Sequence, residues 1–119
     1  EEGQEIAKQV LRIARIRNQL NPEDETAVYV GGVALYYLNE IDEAISWSEM
    51  ATSLVTEDSR QIYNLACLLS LLKRTDQSID MVARALRLGV PETKINWIRC
   101  VDPDLVNIRQ ETRFQDLFS

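Results

Sequence analysis

The sequence repeats itself with a period of 34 residues, and this regularity limits the possible folds more than any other feature. Residues 25–58 align with residues 59–92 without a gap, and in the pairs named next large residues meet large ones while small residues meet small ones. The matched pairs include Val28 with Ile62, Tyr29 with Tyr63, Leu35 with Leu69, Leu38 with Leu72, Ala51 with Ala85, and Leu54 with Leu88. Self-similarity at this period is typical of repeat proteins, in which each unit is one supersecondary element.

Each unit carries apolar residues at helical spacing in two stretches, which a short polar segment separates. We predict four helices in the two units, over residues 26–39, 43–54, 60–73 and 77–88. Asp42 and Asp76 stand at the start of the second helix of each unit, where we expect them to act as N-caps. Gly89 follows the last of these helices and is a natural helix stop.

Small residues recur where the two helices of a unit are expected to cross. Helices approach to about 8–10 Å only where the side chains at the crossing are small. The small positions are Gly32, Ala44 and Ala51 in the first unit, and Ala66, Ser78 and Ala85 in the second. We interpret the Gly31-Gly32 pair as a packing feature and not as a phosphate-binding loop, because no Gly-x-Gly spacing follows it.

These small positions resemble the pattern of the tetratricopeptide repeat (TPR) family, which has small residues at the eighth, twentieth and twenty-seventh places of its unit. The resemblance implies an all-α fold, a TPR-type α-α superhelix of antiparallel helix pairs with a degenerate C-terminal helical cap. It divides a single TPR domain, residues 1–119, into a helix of a preceding partial repeat (4–20), repeat one (25–58), repeat two (59–92), and a degenerate repeat with cap (93–119, the tail).

The tail has a family likeness of its own. Trp97-Ile98, Asp102-Pro103-Asp104-Leu105, Ile108-Arg109 and Arg113-Phe114 resemble the ending of C-terminal TPR regions in bacterial class III adenylate/guanylate cyclases and serine/threonine kinases. This resemblance implies, as an alternative function, a regulatory or dimerisation module that acts on the parent chain's own catalytic domain. The first residue is Glu1 and not Met, which we interpret as a sign of excision from a longer protein.

In the TPR family the first helix of each unit lines a concave groove that binds a polypeptide. Carried over place by place, the implied groove residues are Tyr29, Val30, Val33, Tyr36, Tyr37, Tyr63, Asn64, Cys67, Ser70, Leu71 and Trp97. Tyr29, Tyr63 and Trp97 share one place in the period, and such aromatic anchors are typical of protein interfaces. We therefore predict an apolar, aromatic groove and not the Lys/Asn carboxylate clamp of chaperone adaptors. The alternative that the tail or neighbouring repeats cover this aromatic row stays open.

Charge is distributed unevenly. No Lys or Arg lies between Arg17 and Arg60, whereas nine acids do: Glu23, Asp24, Glu25, Glu40, Asp42, Glu43, Glu49, Glu57 and Asp58. Contact with a phosphate backbone needs clustered cations, so this pattern argues against nucleic-acid binding. We interpret the acidic stretch as a solvated face, and steering of a basic partner is the alternative.

The inventory of reactive groups is small. The chain has no histidine, and its two cysteines, Cys67 and Cys100, are too few for a structural zinc site, which takes four ligands. We predict no catalytic residue, metal or cofactor, and expect both thiols to be buried or half-buried in a reducing, cytoplasmic environment. No stretch approaches the roughly 18 apolar residues of a membrane helix. The expected function is a non-catalytic scaffold for a protein or peptide partner, and a homodimer is left open.

Overall fold

The computed structural model describes residues 2–119, and these residues contain helices but no strand, so the predicted all-α class is confirmed. Seven α-helices are present: α1 Glu2–Leu20, α2 Glu25–Tyr37, α3 Ile41–Leu54, α4 Ser59–Leu71, α5 Thr75–Leu88, α6 Glu92–Cys100 and α7 Thr112–Asp116. A 3-10 helix, Pro103–Leu105, lies between the last two. The chain divides into two compact units, and the boundary between them follows Val55. Within residues 2–119, no helix combines the length and the apolar character needed to cross a bilayer.

In the first unit α2 packs against both α1 and α3. Its core consists mainly of small and branched apolar side chains: Ala7, Ala14, Ala27, Val28, Ala34, Leu35, Ala44, Trp47 and Ala51. Arg15 of α1 forms a bidentate ion pair with Glu43 of α3, at 2.7 and 3.0 Å, and its guanidinium lies 5.8 Å from the centre of the Trp47 ring. The hydrogen bond from Arg15 lowers the pKa of Glu43.

In the second unit α4 packs against α5, and the 3-10 helix packs against α4. The tail supplies four fully buried side chains to this core, namely Ile98, Leu105, Ile108 and Phe114. Arg109 holds the end of α6, because its guanidinium donates hydrogen bonds to the carbonyls of Ile98, Arg99 and Asp102 at 3.1, 3.0 and 2.8 Å. The tail is therefore an integral part of the second unit.

The turns between α2 and α3 and between α4 and α5 have the same backbone, one period apart. Asn39 and Lys73 both adopt a positive φ, of 62° and 60°. The residue after each one donates its N–H to a carbonyl five residues earlier, from Glu40 to Leu35 and from Arg74 to Leu69. This left-handed closure is a common way to satisfy the last carbonyls of a helix. The sequence period is thus also a structural period.

The prediction that Asp42 and Asp76 act as N-caps is wrong. Because the left-handed turn closes early, α3 and α5 begin at Ile41 and Thr75, and both aspartates lie inside the first helical turn. Among helices α2 to α7, the side chains that form capping hydrogen bonds are Asp24, which accepts from the Ala27 N–H at 3.0 Å, and its counterpart Asp58. Asp58 accepts from the N–H of the second residue of α4 at 2.9 Å. Gly89 ends α5 with a φ of 106°, as expected for a helix stop.

The small residues of the repeat pattern are buried in both units. Ala44 and Ala51 are buried, as the repeat pattern requires, and so are Ser78 and Ala85. The Ser78 hydroxyl donates to the Ala66 carbonyl at 2.7 Å, which joins α5 directly to the backbone of α4. Burial of small side chains at these places is what a close approach of paired helices requires.

Candidate functional site

A cavity of about 710 Å³ lies between the beginnings of α4 and α6; we call it the α4–α6 pocket. Its lining consists of two stretches, Ser59, Arg60, Gln61, Tyr63 and Asn64 from α4, and Val90, Pro91, Thr93, Lys94 and Trp97 from α6 and the segment before it. The Trp97 side chain is 41% exposed. The pocket therefore offers an accessible aromatic surface together with cationic and amide groups.

Tyr63 connects this pocket with the interior of the second unit. Its hydroxyl donates a hydrogen bond to the carboxylate of Asp102, and the Lys94 ammonium lies 5.0 Å from the centre of its ring. Burial, the neighbouring Cys67 and the Asp102 carboxylate all raise the pKa of Tyr63. The phenol is therefore protonated at neutral pH, and it acts as a hydrogen-bond donor and as a wall of the pocket.

Behind Tyr63 lies a polar cluster that consists of the buried Cys67 and Asp102 and the half-buried Asp104. The potential ligand atoms of these three residues lie within 4.8 Å of one another. Burial and then the Asp102 charge raise the pKa of the Cys67 thiol, and burial and then Asp102 also raise the pKa of Asp104. The Cys67 thiol lies 3.8 Å from an Asp102 carboxylate oxygen as a weak donor. The geometry fits a hydrogen-bonded cluster that fastens the tail to α4.

A second cavity, of about 410 Å³, lies in the first unit between α1 and α2; we call it the α1–α2 pocket. Its lining is mostly apolar: Gly3, Gln4, Ile6, Ala7 and Val10 from α1, and Tyr29, Val30, Val33, Ala34 and Tyr37 from α2. The side chains of Ile6 and Tyr37 are more than half exposed, at 56% and 57%. This pocket offers an uncharged surface for an apolar ligand.

The eleven groove residues implied by the repeat pattern are distributed over both units. Four of them, Tyr29, Val30, Val33 and Tyr37, line the α1–α2 pocket, and three, Tyr63, Asn64 and Trp97, line the α4–α6 pocket. Tyr36 and Leu71 are half-buried and line neither pocket; the ring of Tyr36 packs edge-on against that of Tyr37 at 5.1 Å.

The prediction that Cys67 and Ser70 line the groove is wrong, because both residues are buried and neither offers a side chain to a partner. The physical reason is the tail, whose 3-10 helix packs against α4. Asp102 lies against the Cys67 thiol, and the Asn107 amide donates to the Ser70 carbonyl at 2.9 Å. The open alternative, that the tail covers part of the aromatic row, thus holds for the hydroxyl end of Tyr63.

Sequence reasoning missed the two cations of the α4–α6 pocket and the contribution of α1. Arg60 and Lys94 lie one period apart, as Tyr63 and Trp97 do, so the repeat alignment contained a signal for them. The expectation for the thiols was also wrong in part, since Cys67 is buried but Cys100 is exposed. Of the acidic stretch, Asp24, Asp58 and Glu43 have structural partners.

Along α1 an apolar stripe lies open to solvent. Ile6, Ile13, Ile16 and Leu20 are each more than half exposed, and Leu20 reaches 82%. Contiguous exposed apolar surface of this kind commonly marks an interaction site. No family model, curated protein or solved structure matches the chain, so the case for its function comes from its own residues.

Proposed function

We propose that the chain is a TPR-type repeat domain and a non-catalytic module that binds a polypeptide partner. One observation carries this proposal: aromatic residues that share a place in the period line a surface pocket in each unit, Tyr29 in one and Tyr63 with Trp97 in the other. The matching turns at Asn39 and Lys73 support the repeat architecture. The two thiols are free, which is consistent with the reducing cytoplasm that we propose as the location.

The chemistry of the pockets supports binding more than catalysis. Exposed aromatic side chains provide large contact areas at low entropic cost and are enriched at protein interfaces. The most strongly perturbed groups, Tyr63 and Cys67, are held in their protonated forms. They also bond to Asp102 and so fasten the tail. Attachment of the tail to α4 therefore accounts for the buried environment of Tyr63 and Cys67.

Selection of random peptides displayed on phage against the immobilised full chain tests the proposal. We expect enriched peptides whose affinity falls at least about tenfold on Trp97→Ala or Tyr37→Ala, because loss of an aromatic anchor costs about 2 kcal/mol. Both side chains are exposed, so the fold should survive their truncation. Met50→Ala, an exposed apolar side chain outside both pockets, is the matched control. Absence of enrichment, or binding that ignores all three changes, would refute the proposal.

The second candidate is a regulatory or dimerisation module of a bacterial signalling enzyme, and the stripe on α1 favours it. The apolar positions Ile6, Val10, Ile13, Ile16 and Leu20 are arranged symmetrically about Ile13. In an antiparallel pair of α1 helices, Ile13 would meet its own copy, while Ile6 would meet Leu20. A twofold interface needs such a self-complementary surface.

A further inference from the structure

We propose that the α4–α6 pocket takes an acidic peptide segment, in which carboxylate side chains flank an apolar or aromatic residue. The inference builds on the polypeptide-binding function and specifies the chemistry of its partner. Three properties of the lining carry it: the sign of its charges, the availability of its cations, and the exposed indole beside them.

The charged residues that line the pocket are Arg60 and Lys94, and both are cationic. This local excess of positive charge occurs in a chain whose net charge is −6. The equivalent place one period before Arg60 holds the uncharged Thr26, and the α1–α2 pocket is lined by uncharged residues. The cationic lining is therefore specific to the second unit and is not a general property of the repeat.

Both cations are available to a ligand. The Arg60 side chain is 90% exposed, and the nearest acid, Asp58, is 3.9 Å from its Nε. The Asp58 carboxylate already accepts from a backbone N–H as the cap of α4. The Lys94 ammonium lies over the Tyr63 ring, and among residues 2–119 it makes no ion pair. Carboxylates on a partner can thus pair with each cation without displacing a strong internal bond.

The rest of the lining fits the backbone and apolar part of a peptide. The exposed Trp97 indole stands beside Val90 and Pro91, which together form an apolar wall. The Asn64 amide carries both a donor and an acceptor, as a peptide group requires. The lining therefore matches an apolar side chain flanked by acids.

Fluorescence anisotropy with three labelled peptides tests this inference on the full chain. All three are acetylated and amidated, so that only side chains carry charge: acidic EDLFDE, neutral QNLFNQ and basic KRLFRK. We expect the acidic peptide to bind at least about tenfold more tightly than the neutral one, with a preference that shrinks as salt screens the charges. The basic peptide should bind most weakly.

Charge reversal within the pocket provides the decisive comparison. Arg60→Glu with Lys94→Glu should remove the preference for the acidic peptide over the neutral one. Arg12→Glu with Arg87→Glu makes the same change of net charge at exposed positions outside the pocket, and it should preserve the preference. Trp97→Ala should weaken every peptide that binds.

Failure of the inference is distinguishable from failure of the proposed function. Equal affinities for the acidic and neutral peptides, still sensitive to Trp97→Ala, would overturn the acidic preference and leave polypeptide binding intact. Salt-sensitive self-association that competes with the peptide would show that the pocket binds the acidic stretch of a second copy. It would overturn the proposal that the acidic segment belongs to a separate partner. If no peptide of any charge binds and the phage selection yields nothing, both proposals are refuted.

Discussion

At the scale of single residues, Tyr63 does two things at once. Its ring lines the α4–α6 pocket below Lys94, and its hydroxyl bonds to the buried Asp102 of the tail. Cys67 lies beside the same carboxylate. The protonated forms of the phenol and the thiol are therefore part of the folded structure, and their ionisation should be coupled to stability.

Alkaline pH should weaken the fold through this cluster. Because folding raises the pKa of Cys67 and Tyr63, the unfolded chain loses these protons first, above about pH 8.5 for the thiol and about pH 10 for the phenol. Their contribution is complete below these values, and the free energy of unfolding should fall as pH rises through them. Urea denaturation at several pH values measures this effect.

Tyr63→Phe separates the phenol from other alkaline effects. At neutral pH it should lower the free energy of unfolding by about 1–3 kcal/mol, because the buried Asp102 loses a donor. Its further loss between about pH 9 and 11 should be smaller than that of the unaltered chain, since the phenol no longer titrates. Tyr36→Phe, which removes a half-buried hydroxyl elsewhere, is the control. Identical pH profiles for all three proteins would contradict the assignment.

At the scale of helical elements, the two units fill the same contact between paired helices with side chains of different sizes. A Cβ placed on Gly31 would lie 2.2 Å from Cζ3 of Trp47, so the glycine makes room for the indole. One period later the same two places hold Leu65 and Met81, a larger residue and a smaller one. The glycine in α2 is thus explained by the tryptophan in α3.

Gly31→Ala should destabilise the first unit even though alanine favours helix. The gain in helix propensity is about 1 kcal/mol, whereas forcing a buried ring to move costs about 1–3 kcal/mol. Trp47→Leu in the same chain should reverse the sign of the Gly31→Ala effect, because the clash is then gone. A double-mutant cycle by urea denaturation gives the coupling energy, and a coupling near zero would show that the contact does not constrain the glycine.

At the scale of the whole molecule, self-association and ligand binding in the first unit draw on the same surface. Ile6 belongs both to the apolar stripe of α1 and to the lining of the α1–α2 pocket. A homodimer formed along this stripe would therefore cover the pocket. The two proposed functions are therefore mutually exclusive at this place.

Sedimentation over a range of concentrations tests the dimerisation alternative. If the alternative is right, we expect the chain to form a dimer. Ile13→Glu should raise the dissociation constant of this dimer at least about tenfold, because a twofold interface contains the buried charge twice. Gln19→Glu adds the same charge on the polar side of α1 and should have little effect. Sedimentation of the unaltered chain as a monomer at every concentration would remove this alternative.

The period of the sequence allowed much of the architecture to be predicted, because helical spacing and small residues at crossings are local signals. It placed the helices to within two residues, as for α3 and α5, and it brought Tyr29 and Trp97 to pocket surfaces. It failed where the tail folds back on α4, since a contact such as that of Asp102 with Cys67 joins distant residues and has no periodic signature. The burial of Ser70 has the same origin.

The hydroxyl bond of Tyr63 gives this arrangement a thermodynamic consequence. Since the ring that a ligand would touch is also the anchor of the tail, we expect ligand binding in the α4–α6 pocket and docking of the C-terminal segment to stabilise each other. Linkage requires this coupling to be reciprocal: a change that destabilises the docked tail lowers the ligand affinity, and a bound ligand raises the stability of the docked tail by the same free energy. In the second unit, ligand binding and docking of the tail would therefore depend on the same side chain, Tyr63.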